Sequence, residues 1–211
     1  MIDTERFERL EREVQRVRDW QDISNLHGRY NHLVLGHHWQ PILDMFSHSP
    51  EVTAEVAESG VFHGTEGVHK VFVDMLGKLY NYTGMLALHE LTTPVIEVAQ
   101  DGKTAKGMWF TWGANTNNHP QRGLIPIWQS LKYNHVFIKE EGRWKFLHFR
   151  AHLIIRSSFD QGWIKEPYIG GSTIKGTDAA AVIQSDAPTT FHDPYDPTQH
   201  YQGLPLPPEP Y

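Results

Sequence analysis

Imidazoles and phenols are the side chains of this sequence best suited to chemistry. It holds fourteen histidines and no cysteine, which excludes thiolate nucleophiles, thiolate metal sites and disulfides. His89 stands near the start of an alternating run, where an imidazole titrating near neutrality can take a carbon-bound or hydroxyl proton. The competing reading is a structural histidine bonded to backbone. Tyr30 could donate to an oxygen that gains charge or departs, against the alternative of a buried ring with a satisfied hydroxyl. His37 and His38 close the first helical pattern; a helix dipole would hold either one more positive and able to act as an acid, while a solvated cap is the plainer role. Tyr133 and His135 could bind a phenol or a carbonyl, Asn31 and Asn115 offer amides, and Phe110, Trp112 and Phe149 offer aromatic walls. There is no His-Glu-x-x-His, no two-histidine-one-carboxylate run and no nucleophile elbow, and Gly170-Gly171 precedes no helical pattern. The motifs therefore leave acid/base chemistry as the reading and no metal site.

These groups need elements to position them. Asp3-Thr4-Glu5 caps a long amphipathic helix in which Leu10, Val14, Val17, Trp20 or Gln21, Ile23 or Leu26, Tyr30 and Val34 recur at three to four residues, with Gly36 as the stop. The helix points Tyr30, Val34 and His37 along one stripe. Trp39 to Phe46 reads as a short second helix, Val52 to Ala57 as a strand, and Gly64-Thr65-Glu66 starts a third helix. Met85 to Val98 reads as a strand, with Pro94 marking an edge or a bulge. Lys106 to Ala114 reads as the next, with Met108, Phe110 and Trp112 on the face expected to wall a pocket. Gly113 to Pro126 is polar and Asn-rich, a long loop of the kind that covers a site.

Ser130 to Leu153 is two alternating runs joined at Glu140-Glu141-Gly142, the centre of a sheet. A two-residue turn prefers Asn-Gly or Asp-Gly, so a three-residue turn with Gly142 in a bulge is expected here. It places Leu131, Tyr133, His135 and Phe137 with Leu147, Phe149 and Ala151 on the pocket face, and Trp144, Phe146, His148, Arg150 and His152 on the other. A one-residue slip would exchange these faces.

At 211 residues, 39% of them apolar, the chain suits one well-buried core. A net charge of −6 without a Lys/Arg cluster argues against nucleic acid or an anionic membrane as partner. The charged stretch from Asp3 to Arg18 and the lack of a long apolar run argue against a signal peptide or a membrane span, leaving a cytoplasmic location as the expectation. Beyond Trp163 the chain is rich in Gly, Pro, Asp and Thr. Helices followed by a meander imply an α+β fold, a curved antiparallel sheet with N-terminal helices on one face and a pocket between the layers.

Several motifs resemble one family in order and spacing. They are Ile23-x-x-Leu26-x-x-x-Tyr30 leading to Trp39, Gly60-x-x-x-Gly64-x-x-x-Val68, and His89 followed by Ile96-Glu-Val. Asp101-Gly-x-Thr-Ala105 and Tyr133-x-x-x-Phe137 with Glu141-Gly-x-Trp144-Lys complete the set. Together they resemble the nuclear transport factor 2-like superfamily, in its SnoaL-like branch of dehydratases, dehydrochlorinases, isomerases and cyclases. The resemblance implies a cone-shaped (cystatin-like) fold and proton-transfer chemistry without metal or coenzyme. It also implies a homodimer or homotrimer built through the sheet face, where an aromatic and Arg-rich surface would suit an interface.

By position, His89 matches the family's histidine base and Tyr30 a tyrosine that polarises substrate. The aspartate expected five residues after that tyrosine is Leu35 here. The resulting expectation is a SnoaL-like domain over residues 1–163 and a C-terminal extension over 164–211 that packs on its own or a neighbouring subunit. The domain is expected to be a cofactor-independent lyase of the dehydratase type acting on a hydrophobic aromatic or polycyclic molecule, with a lignin-type aryl-propane as one candidate. His89 and Tyr30 would be catalytic, and His37, Asn31, Phe110, Trp112, Tyr133, His135 and Phe149 would bind substrate. An isomerase or cyclase in the same pocket and a non-catalytic binding protein are the alternatives.

Overall fold

The computed structural model describes residues 4–119, 122–169 and 183–211; Gly170-Gly171 and part of the expected C-terminal extension lie outside the described residues. The first helix, α1 (Thr4–Leu35), runs as its periodicity predicts, but its stripe divides in two. Ile23, His27, Tyr30 and Val34 are buried against the sheet, whereas every residue from Thr4 to Arg18 is exposed. Asp19, itself buried, pins the junction: its Oδ1 accepts from Lys139 Nζ at 2.5 Å and Trp144 Nε1 at 3.0 Å.

After α2 (Trp39–Leu43), strands β1 (Thr53–Val56) and β2 (Val61–His63) lead into α3 (Gly64–His69). That helix continues as a π-helical stretch, Lys70–Leu76, and a closing turn α4 (Gly77–Leu79). The wider turns bring Met75 and Leu76 to the cavity wall, a use of π geometry found at functional sites. Strands β3 (Ala87–Val98), β4 (Thr104–His119), β5 (Gly123–Glu140) and β6 (Arg143–Ser158) follow, then α5 (Gly162–Lys165). The six strands form one sheet in the order β2-β1-β6-β5-β4-β3. All neighbours are antiparallel except β1 and β6, which run parallel, so the sheet is mixed rather than purely antiparallel. Pro94 marks both an edge and a bulge: β3 is the edge strand and its register shifts between Thr92 and Val95.

The hairpin departs from the expected register in an instructive way. Its turn has two residues, Glu141 and Gly142, both with positive φ, and Glu140 pairs with Arg143. That turn alone would send Tyr133 and His135 to the same face as His148 and Arg150. A bulge at Leu147 intervenes: Phe137 pairs with Phe146, but Val136 pairs with His148. The extra residue reverses the alternation of β6. Trp144 and Phe146 therefore join the core with Phe149 and Ala151, contrary to expectation, while Tyr133 and His135 keep the inward face. A second bulge at Ile154, between the pairs Leu131–Leu153 and Ser130–Ile155, reverses β6 again and sets Arg156 opposite Gln129.

Two further expectations are corrected. Strand β4 alternates as read, but Phe110 and Trp112 point outward and Trp109 inward. The Asn-rich segment is strand rather than loop, since β4 runs to His119 and β5 starts at Gly123. Asn115, Asn117 and Asn118 of β4 line the cavity.

The outer face of the sheet carries the chain's own C-terminal residues. The buried Glu55 carboxylate of β1 accepts from Thr189 Oγ1 and, at 2.6 Å each, from Thr190 N and Oγ1. Phe191 packs edge-on to His152. Lys132 Nζ donates to the carbonyls of Gly203 and Pro205, and Lys106 lies 4.1 Å over the Tyr211 ring. Much of the face expected to meet another subunit is thus covered from within the chain.

Candidate active site

Between α1, the π-helical stretch and the concave side of β3–β6 lies a cavity of about 280 Å³. Tyr30 and Tyr133 form part of its floor as neighbouring phenols, with ring centroids 6.4 Å apart. Burial raises the pKa of both, reinforced by Tyr133 and Tyr80 beside Tyr30 and by Tyr80 beside Tyr133, so they remain protonated donors. Apolar walls come from Val34, Met75, Leu76, Leu131 and Ala151. A polar side is made by Asn115, Asn117, Gln129 and Arg156.

His89 lines this cavity from the start of β3. Its Nε2 lies 3.0 Å from Asn115 Nδ2 on the paired strand, and Asn31 Nδ2 donates to its backbone carbonyl at 2.9 Å. Gly113 gives the imidazole its room. A Cβ there would stand 2.4 Å from the Leu88 carbonyl oxygen and 2.8 Å from His89 Cδ2. Burial, reinforced by the positive charge of Arg156 and opposed by the Asn115 contact, lowers the His89 pKa to about 4. The imidazole is therefore neutral near physiological pH and able to accept a proton.

Arg156 is held by Glu58, with Nη1 to Oε1 at 2.8 Å and Nη2 to Oε2 at 3.5 Å, and its Nε donates to Gln129 at 3.3 Å. Burial pushes the Glu58 carboxyl up, but the guanidinium outweighs it and holds the group below its ordinary value. The pair presents directed N–H groups without a net charge.

Of the residues singled out in the sequence, His89, Tyr30, Tyr133 and Asn115 line the cavity. Asn31 ties α1 to β3 and holds the His89 backbone instead of facing the cavity. His135 and Phe149 lie beneath the floor, fully buried and stacked at 4.4 Å, with His135 Nδ1 accepting from the Arg150 N–H. His37 takes a left-handed conformation (φ 57°) at the end of α1 and stacks on Trp39. Phe110 and Trp112 are on the opposite side of the sheet. Arg156, Glu58 and Gln129 escaped the sequence reading. Strict alternation would place Arg156 outward with Arg150 and His152, and only the bulge at Ile154 turns it in. Among the described residues no three His, Asp or Glu side chains converge as metal ligands, and no helix is long and apolar enough to cross a membrane.

The SnoaL-like domain model matches residues 15–150, well over half of the chain. The chain belongs to the SnoaL-like family. Its place in the nuclear transport factor 2-like superfamily agrees with solved structures of the same fold. A putative scytalone dehydratase from Novosphingobium aromaticivorans is 13% identical over 70% of this chain and 91% of its own, with a TM-score of 0.57. Hexachlorocyclohexane dehydrochlorinase LinA-type3 from Novosphingobium barchaimii is 14% identical over 70% of this chain and 94% of its own, with a TM-score of 0.58. A protein of unknown function from Mycobacterium tuberculosis is 18% identical over 77% and 87%, with a TM-score of 0.51. No curated protein matches the sequence. This SnoaL-like chain departs from the expected histidine–aspartate dyad: Leu35 is partly exposed, and an amide, Asn115, is the side-chain partner of the histidine.

Proposed function

We propose that the protein is a cofactor-independent lyase that eliminates water, or a similarly small group, from a neutral, hydroxylated aromatic molecule. The observation that carries this reading is the convergence of a neutral His89, the Tyr30–Tyr133 pair and the charge-balanced Arg156–Glu58 pair on one largely apolar cavity. An anionic ligand would meet a guanidinium already neutralised by Glu58. A neutral ring with hydroxyl or carbonyl groups finds apolar walls together with phenol and amide partners.

In this mechanism His89 takes a carbon-bound proton. The C–H electrons become the new C=C bond as the neighbouring C–O bond breaks. Tyr30, with Tyr133 behind it, supplies the proton that lets the oxygen leave as water, and the proton on His89 returns to the phenol. As placed, Asn115 Nδ2 faces His89 Nε2; with the amide turned so that its oxygen accepts from Nε2–H, Nδ1 becomes the accepting nitrogen. The names of the two eliminating enzymes among the similar structures support this class.

The test is a mass-spectrometric screen of the purified protein, without added metal or coenzyme, against hydroxylated aryl-propanes, polyketides and steroid-like compounds. A product lighter by water or formaldehyde, formed by the wild type and lost in His89→Ala and Tyr30→Phe, is the expected result. Conversion at equal mass would replace the lyase with an isomerase or cyclase. Binding without turnover by any compound would overturn catalysis.

A further inference from the structure

The first four turns of α1 carry a second apolar stripe that the described residues leave exposed. Phe7, Leu10, Val14 and Val17 are spaced three, four and three residues apart, and each is about half exposed or more. At roughly 100° per residue this stripe points about 150° away from Ile23, His27, Tyr30 and Val34, the residues that pack on the sheet. The change of face occurs across Val17, Trp20 and Ile23, where two successive three-residue steps each rotate the stripe by roughly 60°. Among the described residues the body of the protein lies behind the helix, on the side of Ile23, His27, Tyr30 and Val34, and leaves the stripe exposed. The segment from Thr4 to Arg18 extends about 22 Å, and most of it precedes the start of the family match at residue 15.

We propose that this segment pairs with the same segment of a second copy as a parallel, two-stranded coiled coil. Phe7 and Val14 take the a positions, Leu10 and Val17 the d positions, and a Leu at d with a Val at a suits two parallel strands. The flanking charges then complement each other between helices: Arg6 faces Glu11, and Glu13 faces Arg18, in the g-to-e′ pairs of a parallel register. Asp19 falls at f, on the far side of the helix, and is the residue fixed to the body by Lys139 and Trp144. Each body thus sits outside the pair, clear of the seam. The polar faces carry Glu5, Glu8, Glu11 and Glu13 against five arginines. That mixture suits interhelical pairing and lacks the one-sided positive charge that draws an amphipathic helix to an anionic membrane.

Sedimentation velocity on the full chain tests the pairing. The wild type should sediment as a dimer, and Leu10→Glu with Val14→Glu should halve the mass while circular dichroism shows the body folded. Glu13→Arg should weaken the dimer roughly tenfold, and adding Arg18→Glu should restore it. Because the chain has no cysteine, Val14→Cys reports direction: parallel strands place the two thiols together, and oxidation should give a covalent dimer. A monomeric wild type, or a dimer indifferent to the two glutamates, overturns the coiled coil. Failure of Val14→Cys to cross-link a dimer that the glutamates do dissociate overturns the parallel register.

Discussion

At the scale of single residues, the informative departure is an amide where a carboxylate is expected. A carboxylate beside His89 would favour the imidazolium, whereas Asn115 and the cavity leave it neutral, with a pKa lowered to about 4. A base that is neutral above that value gives a rate that stays level as pH falls through 6.5 and declines only near pH 4. Asn115→Asp should move the acid limb of kcat/KM up by at least one pH unit, because the new carboxylate opposes the burial effect. A wild-type limb at 6.5, or one that Asn115→Asp leaves in place, would remove His89 from the role of base. His89 and Tyr30 were legible because their spacing follows a family pattern. Phe110 and Trp112 were not, because alternation separates two faces without saying which is concave. Gly107 and Gly113 share the parity of Trp109, a sign of crowding on the inner side that is interpretable only once His89 is known to lie there.

The elements were legible in kind and misread in register. The long first helix, the central hairpin and the edge strand at Pro94 follow from periodicity and from proline chemistry. The bulges at Leu147 and Ile154 do not, because an extra residue on one strand answers to the packing of its partner and leaves no mark on local composition. The consequences are concrete. One bulge brings Phe146 and Phe149, three residues apart, onto one face; the other turns Arg156 into the cavity. The β3–β4 pair offers the test at this scale. Gly113→Ala would drive a methyl group against the Leu88 carbonyl and the His89 ring, costing about 1–3 kcal/mol of stability. Turnover should fall well beyond what that loss explains, because the imidazole is displaced. Thermal unfolding and kcat on the same preparation separate the two effects, and an unchanged kcat would show that the ring position is not held by β4.

For the whole molecule, three imidazoles enclosed in the neutral form set the response to acid. Burial lowers the pKa of His27 to about 3 and that of His89 to about 4, and lowers that of His135 well below its ordinary value. Among the described residues neither ring nitrogen of His27 has a hydrogen-bond partner. The unfolded chain binds protons at these sites near pH 6.5, and the folded protein does not. Their contribution is therefore complete above 6.5 and is lost as pH falls below it, at about 1.4 kcal/mol per pH unit for each imidazole. Denaturant midpoints should hold level from pH 7.5 to about 6.5 and decline from there to pH 4.5, and His27→Leu should reduce that slope by one proton. A slope unchanged in that variant would place the acid sensitivity elsewhere.

The C-terminal residues on the outer face have a consequence for the order in which the protein assembles. Glu55 meets Thr190 across 135 positions, the most distant along the sequence of the hydrogen bonds described, and Lys132 meets Pro205 across 73. Closing such loops is entropically costly before the sheet exists to receive them. Strand β1 must likewise wait for β6, its parallel neighbour. The hairpin of β5 and β6 can form early and locally, whereas the strap over its back is among the last parts to dock. In refolding kinetics, the strap would report the end of the reaction and the hairpin its beginning.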